Sequence, residues 1–331
     1  MPVLPWACAA RAMGALRAAV SLLAALVLCC VEAGCHQPVQ PLRIGFDEWP
    51  VYQFMRLAEE KGFFREEGVD VKLLEFGSLA DTRRAYESRR IDGMATTVIE
   101  TLITRDQAGR NTRIVRVLNF SKGADVIVAG KSVRSMRDLR GKRVGVELGA
   151  LAMYMLARSL ELEGMSLEEV TLVSTNQAAM VGEMTEGRLD AAVAYPPAST
   201  SLLADPRFHA VFSSAKIPGE VADVIAIGGF VLRERPQQVA GFLRGLDRAF
   251  AYYKENPEDA SRIMAAAINV SPEEFRESLT TGLQLVWPEE QAQYLAEGGK
   301  LQPVVDSLVR VLEKAGVLTD RPGLTDCLSP Q

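Results

Sequence analysis

Acidic and aromatic side chains, more than nucleophiles or metal ligands, carry the chemical possibilities of this chain. Trp49 and Tyr195 each follow a predicted strand, and their broad faces suit a planar or apolar molecule at little rotamer cost. Asp125, Glu147, Glu220 and Asp223 fall near the predicted hinge or mouth of a cleft, where carboxylates lacking a basic partner repel a sulfonate and attract an amine or another hydrogen-bond donor. Thr96-Thr97 and Gly149-Ala150 pull the other way. They precede predicted helices, whose free N–H groups and dipole favour an anion. Plainer roles stay open: Trp49 as a seal on the helix after it, the threonines as helix caps, Asp125 and Asp223 as turn residues before their strands. Catalysis finds little support. The chain holds two histidines, His36 and His209, with no Ser/His/Asp order, no Cys/His metal spacing and no phosphate-cradling glycine loop, so no enzyme, cofactor or metal is expected.

What must position these residues is an internal repeat. Leu42-Arg43-Ile44-Gly45-Phe46 is echoed by Lys142-Arg143-Val144-Gly145-Val146, and Arg90-Ile91-Asp92-Gly93 by Arg188-Leu189-Asp190-Ala191. Ala124-Asp125-Val126-Ile127 recurs letter for letter as Ala222-Asp223-Val224-Ile225. A period of about a hundred residues is too long for a solenoid unit of roughly 20–50 and predicts two similar α/β lobes, with a ligand cleft between them.

Within each copy, apolar periodicity alternates between the two kinds of element. The first copy reads as helix 51–64, strand 69–76, helix 79–88 and strand 91–95; the second as helix 150–163, strand 170–173, helix 177–186 and strand 189–194. That alternation predicts parallel sheets covered on both faces. Ligands of such sheets sit beyond the carboxyl ends of the strands, which selects Asp47-Glu48-Trp49, Thr96-Thr97, Glu147-Leu148-Gly149-Ala150 and Tyr195. After Gly228 the chain turns helix-rich and no third copy follows, so its last helices are expected on the first lobe. The crossings are expected at the two Ala-Asp-Val-Ile strands, giving 41–125 with 224–331 as one lobe and 126–223 as the other. Arg83-Arg84 and Arg89-Arg90 are expected on a solvated helix face.

The N-terminus is of another kind. Arg11 and Arg17 precede an apolar run from Ala18 to Val31, shorter than the roughly 20 residues that span a bilayer, so residues 1–34 read as a secretory signal and the mature protein as exported. Loss of Arg11, Arg17 and Glu32 with that segment moves the formal charge from −5 to −6. So mildly acidic a body argues against nucleic acid or anionic lipid as a partner. Cys8, Cys29 and Cys30 leave with the signal, and Cys35 and Cys327 make no disulfide framework; a bridge between those two is open only if Cys35 is unmodified.

The combination of Trp49-Pro50, Glu60-Lys61-Gly62-Phe63-Phe64, Glu67-Gly68-Val69-Asp70-Val71 and Arg90-Ile91-Asp92-Gly93 carries a family resemblance. So do Asp138-Leu139-Arg140-Gly141-Lys142-Arg143-Val144-Gly145-Val146, Gly187-Arg188-Leu189-Asp190-Ala191-Ala192 and Tyr195-Pro196. From Pro41 to about Ala267 the chain resembles the solute-binding components of ABC importers, in the nitrate/sulfonate/taurine and thiamine-precursor group of type II periplasmic binding proteins. The resemblance implies an α/β fold of two lobes joined by two hinge strands, closure over a small organic ligand, and delivery to ABC permease and ATPase subunits. It implies a monomer in the periplasm or at the cell surface. A ligand sensor partnering a membrane kinase is an alternative, and an enzyme on the same fold a more remote one. A relative that makes thiamine pyrimidine sacrifices its own histidine and needs clustered cysteines, which are missing here. Tyr195-Pro196 stands where many members have Glu-Pro, removing a rim carboxylate. Ala33-Gly34-Cys35 resembles a lipobox, which implies acylation of Cys35 and a membrane anchor, although Glu32 replaces the usual aliphatic residue and leaves ordinary signal-peptidase cleavage open. The residues expected to meet the ligand are Trp49, Thr96, Thr97, Asp125, Glu147, Gly149, Ala150, Tyr195 and Asp223. Together they favour a small nitrogenous molecule, a pyrimidine or an amine, over nitrate or a sulfonate.

Overall fold

Arg43 and Arg143 show what the repeat is for. In the computed structural model, which describes residues 40–148, 151–319 and 323–329, Arg43 gives its backbone N–H and Nε to Asp92 Oδ2 at 2.9 and 3.1 Å and its Nη2 to Oδ1 at 2.7 Å. Arg143 binds Asp190 in the same way, at 2.9, 3.1 and 3.1 Å. Each bridge ties the first strand of its copy to the residue leading into the third. Gly45 and Gly145 repeat for a related reason, since a Cβ there would stand 2.4 Å from Ile91 Cδ1 and 2.5 Å from Leu189 Cδ1.

One sheet holds β1 (Leu42–Phe46), β2 (Val71–Glu75), β3 (Gly93–Thr97), β4 (Thr112–Ser121), β10 (Ala222–Gly228) and β11 (Leu283–Leu285), in the order β11-β4-β10-β3-β1-β2. The other holds β5 (Val126–Gly130), β6 (Arg143–Val146), β7 (Thr171–Ser174), β8 (Ala191–Ala194) and β9 (Phe208–Ser213), in the order β7-β6-β8-β5-β9. The twice-written Ala-Asp-Val-Ile strands occupy the same place, fourth from the β2 edge or the β7 edge, but exchanged: β5 follows the first copy into the second sheet, and β10 follows the second copy into the first. Both run antiparallel to their neighbours, so the sheets are mixed rather than parallel throughout; only β1, β2, β3 and β6, β7, β8 form parallel sets. A strand arriving from the other lobe enters at the end where the parallel strands stop, and must run against them. The two crossings lie at residues 122–125 and 214–221, and they touch: Ser121 Oγ and Ser214 Oγ are 2.7 Å apart, and Ser214 Oγ accepts the Gly123 N–H at 2.7 Å.

The first predicted helix is two, Gln53–Glu60 and Phe63–Glu66, because Gly62 between them takes φ 74°. Phe54 of the former stacks at 4.0 Å on Phe250 of the long helix Pro236–Glu255, placing the helix-rich tail against the first sheet's layer.

The duplicated ion pair supplies a test of what burial is worth. Asp92 is 8% exposed at the side chain and also accepts Arg235 Nη1 at 3.2 Å, whereas Asp190 is 27% exposed. Asp92→Ala is expected to cost about 2–3 kcal/mol and Asp190→Ala about 1 kcal/mol, read from urea midpoints. Equal losses would show that burial does not separate the two copies.

Candidate ligand-binding site

Asp47 directly follows β1 and Tyr195 directly follows β8, while the antiparallel sense of β5 and β10 brings Asp125 and Asp223 to the same side of their sheets. All four line one cavity of about 10 Å³, with Trp49 and Tyr52 from the first sheet's layer and Leu151 from the second's. That is room for about one water molecule.

A continuous hydrogen-bond network runs through these walls. Tyr195 donates its hydroxyl to Asp47 Oδ2 at 3.1 Å, and Trp49 N–H donates to Asp47 Oδ1 at 3.1 Å. The two rings meet edge to face, centroids 5.9 Å apart, so the lobes touch through an aromatic pair and a carboxyl. Behind them Trp49 Nε1 donates to Asn119 Oδ1 at 3.3 Å, Asn119 Nδ2 to Asp223 Oδ2 at 2.7 Å, and Tyr52 OH to Asp223 Oδ1 at 2.7 Å. Asp125 is different. Its backbone N–H is held by Ser121 Oγ at 3.3 Å, but its buried Oδ2 accepts nothing.

The electrostatics follow from burial without compensation, since no Lys or Arg lines the cavity. Burial, reinforced by Glu147, lifts the Asp47 carboxyl to about 7 against the pull of the Trp49 N–H. Burial takes Asp125 to about 6 and Glu147 to about 7. Asp223, buried beside Asp125, is raised well above the carboxylate range. This group of acids releases protons reluctantly unless positive charge comes near.

The remaining predicted residues are placed as follows. Glu147 is buried but does not line this cavity. Thr96 and Thr97 are the last residues of β3 rather than of a loop after it, because β3 runs on to pair Val224 with Thr96 and Asp223 with Thr97. Thr97 caps the helix Val98–Gln107 by accepting the Glu100 N–H at 3.2 Å, Thr96 is buried with its hydroxyl unpartnered, and neither lines the cavity. Gly149, Ala150 and Cys35 lie outside the described residues. Glu220 is no free carboxylate: it accepts the Tyr154 hydroxyl and Arg158 Nε, the latter at 3.0 Å. Nor is Arg83 on a solvated face. It is 8% exposed, bonded to Glu87 at 2.7 Å and directed inward towards Glu100. Tyr52, Asn119 and Glu100 escaped the sequence reading, and of these only Glu100 left a signal, the Thr97-x-x-Glu100 spacing of a capping box. Among the described residues no three His, Cys, Asp or Glu are grouped to hold a metal, and no helix is long and apolar enough to cross a membrane.

Two α/β lobes exchanging a strand each and meeting over a lined cleft give this chain the periplasmic-binding-protein fold, the fold of the solute-binding proteins of ABC import systems. The chain belongs to the family described as NMT1/THI5 like, whose family model matches residues 49–260. It is 24% identical over 263 residues to a Brucella abortus (strain 2308) protein provisionally named a binding protein, covering 74% of this chain and 77% of that one. Its fold is similar to that of the alkanesulfonate-binding protein SsuA from Xanthomonas axonopodis pv. citri bound to MOPS, with TM-score 0.74 and 16% identity over 88% of this chain and 98% of that chain. The periplasmic nitrate-binding protein NrtA from Synechocystis PCC 6803 is similar with TM-score 0.67 and 15% identity, over 87% and 85% of the two chains. At those identities the likeness speaks for fold and leaves the ligand to the residues of the cleft.

Proposed function

We propose that this protein is an extracytoplasmic solute-binding protein that captures a small organic cation, or a comparable nitrogen-bearing hydrogen-bond donor, and delivers it to ABC permease and ATPase subunits. One observation carries the ligand class: Asp47, Asp125 and Asp223 converge on a cavity that Trp49, Tyr52 and Tyr195 also line and that no basic side chain reaches. An ammonium or amidine group would supply the donor that Asp125 Oδ2 lacks, with its carbon skeleton or ring against Trp49 and Tyr195. A sulfonate would face several carboxyls at once. With about 10 Å³ between them the walls must part to admit any organic molecule, and the serine-linked crossings are the natural pivot. A groove of about 210 Å³ shares Asp47 and Tyr195 with the cavity and continues it outward past Glu48 and Ser201.

A thermal-shift screen tests the reading, since a ligand of the joined lobes stabilises by mass action. Amines, amidines and aminopyrimidines are expected to raise the melting temperature, and nitrate and alkanesulfonates to leave it unchanged; stabilisation by an alkanesulfonate alone would overturn the cationic assignment. Deleting the protein should abolish uptake of the stabilising compound. Anchoring through acylated Cys35 belongs to the same proposal: Cys35→Ser should move the protein from the membrane fraction to the soluble one, and a wild-type protein already soluble would remove the anchor.

A further inference from the structure

Thr97-x-x-Glu100 has the spacing of a capping box, in which the third helical residue turns its carboxylate back to the capping residue's N–H. Only half of that box forms. Thr97 Oγ1 accepts the Glu100 N–H, but the Glu100 carboxylate reaches across to the other lobe, where Oε1 accepts the backbone N–H of Leu151 at 2.7 Å. Leu151 opens the helix Leu151–Leu162 and lines the ligand cavity. Glu100 is fully buried, its Oε2 accepts no hydrogen bond, and that oxygen lies 3.3 Å from Arg83 Nε, which likewise has no hydrogen-bond partner. One lobe thus sets a carboxylate on the start of the other lobe's helix, where free N–H groups and the dipole would otherwise receive an oxyanion, with a buried guanidinium beside it.

We propose that Glu100 is a specificity-determining residue, a built-in carboxyl group that occupies the oxyanion position at the start of the helix Leu151–Leu162 and keeps sulfate, sulfonates and similar ligands out of the cleft. The inference deepens the cation-binding reading and rests on the same cleft. Its consequence is specific: without the carboxylate, the Leu151 N–H and the Arg83 guanidinium border the freed volume, and an N–H donor with a guanidinium is a donor set that suits a tetrahedral oxyanion.

Calorimetric titration with sodium sulfate and sodium methanesulfonate, at constant ionic strength, tests this on wild type, Glu100→Ala and Glu100→Gln. Wild type is expected to bind neither. Glu100→Ala should bind at least one of them about tenfold or more tightly than wild type, with the Leu151 amide resonance shifting on addition, and Glu100→Gln, neutral but still space-filling, should gain less. A Glu100→Ala protein that melts cooperatively and gains no anion binding overturns the inference, as does wild-type protein that binds sulfate with the Leu151 amide responding. Should Glu100→Ala fail to melt cooperatively, Glu100→Gln decides alone, and a gain below about threefold overturns it. The two readings fail separately: wild type that binds no amine while Glu100→Ala gains sulfate loses the cationic ligand and keeps the role of Glu100.

Discussion

Asp125→Asn is expected to weaken binding of the stabilising cation by about 30- to 5,000-fold while making the protein without ligand more heat-stable near neutral pH. Both effects have one source. Asp125 is 3% exposed, its Oδ2 accepts nothing, and burial raises its carboxyl to about 6. A cation bound beside it would make a desolvated charge pair, and truncating one member of such a pair costs about 2–5 kcal/mol. Without the cation the same carboxylate is a liability. A group whose folded pKa is raised contributes fully below its unfolded value near 4 and loses that contribution as pH climbs to about 6, so above that window asparagine, which never ionises, is the more stable choice. Calorimetry for affinity and differential scanning fluorimetry at about pH 7.5 read the two signs. A general packing defect would lower both, and binding unchanged in Asp125→Asn would remove Asp125 from the ligand's surroundings.

Constraints repeated within each copy were legible in the sequence, and pairings between the copies or outside the repeat were not. Arg43 with Asp92 and Arg143 with Asp190, 49 and 47 residues apart, each stay within one copy and leave the same letters twice, so two lobes could be read directly. The matching Ala-Asp-Val-Ile segments marked the strands next to the crossings, but not that β5 and β10 run antiparallel, because strand sense depends on the side from which the chain arrives. Of the residues that line the cavity, the rule that sites gather at strand ends pointed to Asp47, Trp49 and Tyr195, and the repeated Ala-Asp-Val-Ile segments to Asp125 and Asp223. Asn119 lies inside β4, 70 residues from Trp49, and nothing in an apolar strand announces a side chain that bridges an indole and a carboxyl. Glu100 is instructive in another way. Its spacing from Thr97 fits local capping, and only the arrival of Leu151 from the second lobe redirects the carboxylate. Arg83, written beside Arg84 like a surface pair, is turned inward by that same acid.

Raising the pH of the protein without ligand from about 5 to about 8 is expected to part the lobes, seen as an increased radius of gyration in solution scattering. The signs follow from the raised carboxyls. Asp47, Glu100 and Glu147 are lifted to about 7 and Asp125 to about 6, all with burial as the first cause, so the joined arrangement is favoured while they stay protonated and loses free energy as pH rises from about 4 through about 7. Each ionisation in place would cost roughly 3–4 kcal/mol, and several together rival the 5–15 kcal/mol net stability of a typical domain. Opening is far cheaper. It gives up the Tyr195–Asp47 and Leu151–Glu100 hydrogen bonds and the edge contact of Trp49 with Tyr195, about 1–2 kcal/mol apiece, together with exposed contacts such as the Lys314–Glu161 ion pair at about 1 kcal/mol or less, and returns the acids to water. The protein should therefore separate its lobes rather than unfold. Saturating cation at about pH 8 should restore the compact profile, because ionised Asp47 and Asp125 then gain the positive charge that the cavity lining lacks. Scattering curves that superimpose at both pH values would mean that the acids keep their protons or find water without any movement of the lobes.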